Sequence, residues 1–134
     1  MLDLDGWLGP LRSGEETIEP AAFEPKERDD DIIAAEELAA RHEELVVVDA
    51  RLPERFRGEP NPIDVVPGRV PGAINAPWNE PIPELAAGEL VTYCGSGVTS
   101  CVVLHRLALA GREAKLYPGS WSEWEQLGLP VTRG

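Results

Sequence analysis

The stretch Leu90-Val91-Thr92-Tyr93-Cys94-Gly95-Ser96-Gly97-Val98-Thr99-Ser100-Cys101 reads as a strand, a short glycine-rich loop and the start of a helix. Leu90 to Tyr93 shows no apolar/polar alternation, which predicts a strand covered on both faces. A helix is predicted from about Thr99 to Ala110, with Gly111 ending it at the C′ position, where a left-handed backbone favours glycine. A strand that feeds a helix through a tight loop is the unit of a parallel α/β sheet, and in such sheets functional loops lie beyond the carboxyl ends of the strands.

The flanking sequence repeats that unit. Leu45-Val46-Val47-Val48 is a second continuous run closed by Asp49, and a helical pattern through Ala35, Leu38, Ala39 and His42 precedes it, with Asp30 or Asp31 as its cap. Ala73 to Ala76 and Ala114 to Tyr117 predict further short strands. Glu84 to Ala87 predicts a turn of helix, and Ser120 followed by Glu123 predicts a capped helix through Gln126. Residues 51 to 72 are rich in proline and have no periodicity; a loop this long in a compact domain carries function more often than mere connection. The predicted fold class is α/β, a mostly parallel central sheet flanked by helices.

With 134 residues the chain has room for one core, and its 13 prolines and 13 glycines predict many loops. The net charge is −12, of which −10 falls in residues 1 to 44. Nucleic acid and anionic membrane would both repel it, so neither is an expected partner. Residues 1 to 31 read as an acidic linker or wrapping arm, and part of its apolar set (Leu2, Leu4, Trp7, Leu8, Leu11, Ile18, Phe23) is expected to dock on the domain formed by residues 32 to 134. No basic and apolar leader opens the sequence and no apolar run approaches the ~20 residues of a membrane span, so a cytoplasmic location is expected.

The chemistry is expected at Cys94. Gly95 and Gly97 can both adopt positive φ, which turns consecutive N–H groups inward, and a helix start adds its positive dipole end. Such a cradle binds an anion and lowers a thiol pKa, and a strand-end position is expected to expose Cys94 as a nucleophile. Cys101, within Cys101-Val102-Val103-Leu104, reads as a packed helix residue rather than a resolving thiol. A cysteine phosphatase would need a guanidinium six positions after its nucleophile, but position 100 is Ser. The loop from Cys94 to Thr99 offers only small and hydroxyl side chains, which suits a small sulfane-sulfur donor better than a phosphate. His42 and His105 fall in helices away from the loop, and no metal or organic cofactor is expected.

Four stretches carry a family resemblance: Val48-Asp49-Ala50-Arg51 with Arg55-Phe56-Arg57-Gly58, Pro71-Gly72-Ala73-Ile74-Asn75, the Cys94 loop, and Tyr117-Pro118-Gly119-Ser120-Trp121-Ser122-Glu123-Trp124. In this order they resemble the rhodanese-like sulfurtransferases, in particular the carboxy-terminal catalytic domain of two-domain thiosulfate and 3-mercaptopyruvate sulfurtransferases. The resemblance implies a ping-pong cycle in which Cys94 takes a sulfur atom as a persulfide and passes it to a thiol or cyanide acceptor. Arg55 then matches the arginine that binds the small anionic donor, and Gly95, Ser96, Gly97, Val98 and Thr99 match the substrate-binding loop. Asp49, Arg51, Trp121 and Trp124 read as structural. Arg69 stands where relatives usually carry His, and Ile63 near a second donor-binding arginine of some. Residues 1 to 25 resemble only the end of a preceding domain and a linker, which leaves a face through which a homodimer could form. The readings set against an enzyme are a weakly catalytic persulfide carrier or protein-interaction module, and a phosphatase-like hydrolase.

Overall fold

A computed structural model describes residues 9–134. Four short parallel strands form the sheet: β1 (Val46–Asp49), β2 (Ile74–Asn75), β3 (Leu90–Tyr93) and β4 (Ala114–Leu116), in the order β2-β1-β3-β4. The helices are α1 (Ala35–Arg41), α2 (Pro53–Phe56), α3 (Ser100–Leu109) and α4 (Ser120–Gln126). From β1 the chain moves outward to β2, then crosses back to add β3 on the other side. The loops after β1 and β3 therefore leave neighbouring strands in opposite directions, which opens a crevice between them at the carboxyl end of the sheet.

Alternation along the strands sorts the core into two layers. Val47 of β1 and Val91 and Tyr93 of β3 join Ile33, Leu38, Trp121 and Trp124, while Val48 and Leu90 join Val103 and Leu107 of α3. Cys94 continues the Leu90 and Thr92 face of β3 and so lies in the α3 layer. Trp121 and Trp124 are fully buried, each worth on the order of 4–6 kcal/mol of apolar burial at about 25 cal/mol per Å². Their indole N–H groups donate to the carbonyls of Val66 and Pro130, so neither polar atom is orphaned.

Several local expectations fail for identifiable reasons. Ala34, not an aspartate, stands at the N-cap of α1, since Ile32 and Asp31 are drawn into backbone pairing with Leu116. Glu84 to Ala87 form no helix; the guanidinium of Arg112 binds the Leu85 and Ala86 carbonyls and holds the segment irregular. Ser120 is the first residue of α4 rather than its cap, and its φ is +53°. The prolines of the 51–72 loop leave space for α2, which begins at Pro53 where the missing N–H costs nothing. In the arm, Leu11, Ile18 and Phe23 are exposed instead of docked; Leu2, Leu4, Trp7 and Leu8 lie outside the described residues.

Candidate active site

The β1 end is fixed by a buried ion pair. Asp49 accepts from the Arg51 amide and guanidinium and from the Tyr93 hydroxyl at 2.6 Å, and Arg51 also donates to the Gly68 carbonyl. The Arg51 guanidinium lies 4.6 Å from the Trp121 ring centre and 5.7 Å from that of Tyr93, so β1, β3 and α4 are tied through one side chain. A charge taken this far from water has to be paired, and this one is.

Beyond it, α2 carries Arg55 toward the crevice. Its Nε donates to Asp64 at 3.0 Å and its Nη2 to the other carboxylate oxygen. Asp64 is itself presented by an Asx turn in which Asn61 Oδ1 accepts from the Ile63 and Asp64 amides. Burial pushes the Asp64 carboxyl up, but hydrogen bonds from Arg55 and Asn61 and the nearby Arg55 and Arg51 charges more than offset that and hold it below the usual value. Arg55 is pressed on the cysteine loop: a Cβ at Gly95 would come 3.0 Å from Arg55 Nη2. Glycine at 95 is thus favoured by the close approach of the arginine rather than by its own backbone, because only Gly97 has positive φ in this loop, at +89°.

Cys94 is buried, at 1% exposure, instead of standing open at the strand end. The loop folds over its sulfur: the Gly97 N–H donates to Sγ at 3.1 Å. Burial pushes the thiol up; hydrogen bonds from the Ser100 and Thr99 hydroxyls and from the Ser100 and Ser96 amides outweigh it and bring the pKa down to about 7. The Ser100 hydroxyl has one proton and two acceptors in reach, the Gly97 carbonyl at 3.2 Å and the thiolate once that forms. Cys101, expected to be packed, is exposed on α3, and its thiol donates back to the Gly97 carbonyl at 3.3 Å.

The start of α4 clamps the loop from behind. Ser120 Oγ accepts from the Cys94 amide at 3.1 Å, and the Trp121 and Ser122 amides donate to the Cys94 and Gly95 carbonyls. A cleft of about 170 Å³ borders the loop, lined by Arg55, Ile63, Asp64, Gly95, Ser96, Ser122 and Glu125. The structure thus brings Arg55, Gly95 and Ser96 to one cleft and wraps Gly97 and Thr99 around the sulfur, while Val98 points out at 71% exposure. Sequence reasoning missed Asp64, Ser100 and Glu125; of these only Asp64 carried a signal, the Asn61-Pro62 turn that presents it. A larger groove of about 470 Å³ lies at the other end of the sheet, beside Leu90 and Ala114, and holds no cysteine. Among the described residues no cluster of side chains is suited to hold a metal ion, and no helix is long and apolar enough to cross a membrane.

A buried thiol ringed by amides and hydroxyls, at the switch point of a parallel sheet, defines an α/β domain built around a cysteine loop. The chain belongs to the rhodanese-like domain family, whose model matches residues 34–127. It is 35% identical to a Mycobacterium tuberculosis protein named "Putative thiosulfate sulfurtransferase SseB", over 98% of this chain and 57% of that protein. It is 40% identical to a probable 3-mercaptopyruvate sulfurtransferase of Pseudomonas aeruginosa over 85% of this chain and 48% of that one. A crystal structure described as a probable thiosulfate sulfurtransferase superposes with a TM-score of 0.65 at 36% identity, covering 79% of this chain and 49% of the other. The chain spans about half the length of the curated relatives it matches.

Proposed function

We propose that this chain is a sulfurtransferase that carries sulfane sulfur as a persulfide on Cys94. The observation that carries the reading is the ring of donors on Sγ, with the thiol pKa brought to about 7, so that about half of it is thiolate at neutral pH. The thiolate attacks the transferable sulfur of the donor, a bond forms between Sγ and that sulfur, and the bond to the rest of the donor breaks with its electron pair leaving on the departing group, sulfite from thiosulfate or the enolate of pyruvate from 3-mercaptopyruvate. The loop donors then hold the negative charge of the persulfide. Arg55 Nη1 makes no hydrogen bond among the described residues and faces Gly95, which suits it to bind a small anionic donor such as thiosulfate or 3-mercaptopyruvate. The names of the relatives support the same donor class. A thiol or cyanide then takes the sulfur, and two free cysteines fit a reducing, cytoplasmic setting.

Mass spectrometry of the intact protein after exposure to either donor tests this. A gain of about 32 Da, one sulfur, is expected on Cys94. It should vanish in Cys94→Ser and persist in Cys101→Ser; equal loss in both folded variants would overturn the assignment in favour of a dithiol mechanism.

A further inference from the structure

Glu125 lines the cleft beside the cysteine loop and is half-buried on α4. One carboxylate oxygen accepts from the Val66 amide at 2.8 Å, which fixes the side chain; the other has no partner, and Glu125 makes no ion pair among the described residues. The cation of the cleft, Arg55, is already matched by the two-point pair with Asp64, and only its Nη1 edge is left to a ligand. The lining therefore offers one guanidinium edge, one unmatched carboxylate oxygen and the Ser96 hydroxyl, while the Ser122 hydroxyl donates to the Gly95 carbonyl. An anion bound on Arg55 meets the uncompensated charge of Glu125 in a half-desolvated site, where screening is weak. A molecule that brings a positive charge alongside its carboxylate satisfies both ends, and about 170 Å³ holds something the size of an amino acid.

We infer that Glu125 makes this cleft select a zwitterionic aminothiol as sulfur acceptor, its carboxylate on Arg55 and its ammonium on Glu125. The inference rests on the proposed persulfide on Cys94. The acceptor thiolate attacks the outer sulfur of Cys94–S–SH, a new S–S bond forms to the acceptor, and the Cys94 S–S bond breaks with its electron pair on Sγ. The products are the acceptor persulfide and the Cys94 thiolate, with no oxidant or reductant consumed. A donor anion that has already left does not compete for Arg55 in this half-reaction.

L-cysteine and 3-mercaptopropionate share the carboxylate and differ in the α-amino group, whose effect on the thiol itself cancels when their rate ratio is compared between wild type and Glu125→Gln. Full-length protein is loaded, its Cys94 persulfide verified by mass, and discharge followed with each thiol at equal thiolate concentration. Glu125→Gln, which keeps an acceptor for the Val66 amide, should cut the cysteine preference, read as the ratio of the cysteine rate to the mercaptopropionate rate relative to wild type, about tenfold, the loss of one half-desolvated charge pair. A preference unchanged in Glu125→Gln overturns the inference while leaving the persulfide standing. If no persulfide forms, the proposed function is what fails, and alkylation still tests the cleft: the rate ratio of 2-bromoethylamine to iodoacetate at Cys94 should fall in Glu125→Gln, and an unchanged ratio overturns the inference on its own.

Discussion

At Cys94 two effects of opposite sign meet. Burial disfavours the thiolate, while hydroxyls and amides aimed at Sγ favour it, and the donors win. Iodoacetamide alkylation should therefore rise with pH to a midpoint of about 7, below the ~8.5 of a free cysteine, and slow about tenfold for each pH unit below the midpoint. Ser100→Ala should move the midpoint up toward the free value, because it deletes the largest favourable contribution, and Cys101→Ser should leave it in place. A wild-type midpoint at or above 8.5 would mean that the donors do not reach the sulfur. Arg55 calls for a two-variant design. Arg55→Ala should slow persulfide formation about ten- to a hundredfold, equivalent to about 1.5–3 kcal/mol for a charged hydrogen bond to an anion, but it also strands buried Asp64. Pairing it with Asp64→Asn should restore the denaturation midpoint and leave the rate low in stopped-flow measurements. Arg57→Ala should change little, since Arg57 pairs with Glu59 at the surface.

At the scale of elements, the cysteine loop is shaped as much by what packs on it as by its own residues. A Cβ at Gly97 would sit 2.6 Å from the Pro118 carbonyl oxygen, at a φ of +89°. Gly111 has a similar φ of +78° but open space around it. Gly97→Ala should thus cost more than 2 kcal/mol and displace the N–H that binds Sγ, whereas Gly111→Ala should cost only about 1 kcal/mol for the backbone alone, as urea denaturation would read. The same contrast explains what the sequence made legible. β1 and β3 announced themselves because Val47, Val48 and Leu90 to Tyr93 are buried on both faces, and burial leaves a compositional trace. Ser120 reads locally as a helix cap, yet its hydroxyl turns to the Cys94 amide and the Tyr117 carbonyl, partners set by how α4 docks. Cys94 was read as exposed because it stands at a strand end before a tight turn; the same glycine turn whose amides were expected to face the thiol brings the Gly97 N–H onto Sγ and covers it. Asp64 and Glu125 entered the cleft from segments about thirty residues to either side of the loop.

Over the whole molecule, the centre of gravity is the Asp49–Arg51 pair with the Tyr93 hydroxyl and the Trp121 ring. Asp49→Ala would leave the Arg51 charge buried with only Asp64, 3.5 Å from its Nη1, as counter-charge. It should destabilise the fold by about 3–5 kcal/mol in guanidinium denaturation, where Arg28→Ala, which breaks an exposed pair, should stay within about 0.5 kcal/mol. The order of the sheet has a bearing on how this protein comes into being at the ribosome. β1 has its principal partner in β3, and Val46 must wait for Leu90 to be synthesised before the register can form. Until then the nascent chain exposes an apolar edge, a state that chaperones recognise. The amides that grip Cys94 and Gly95 come later still, from Trp121 and Ser122 near the end of the described chain. Until those amides are in place nothing holds the loop with its donors on Sγ, so the lowered thiol pKa belongs to the folded domain, and a chain not yet folded carries an ordinary cysteine.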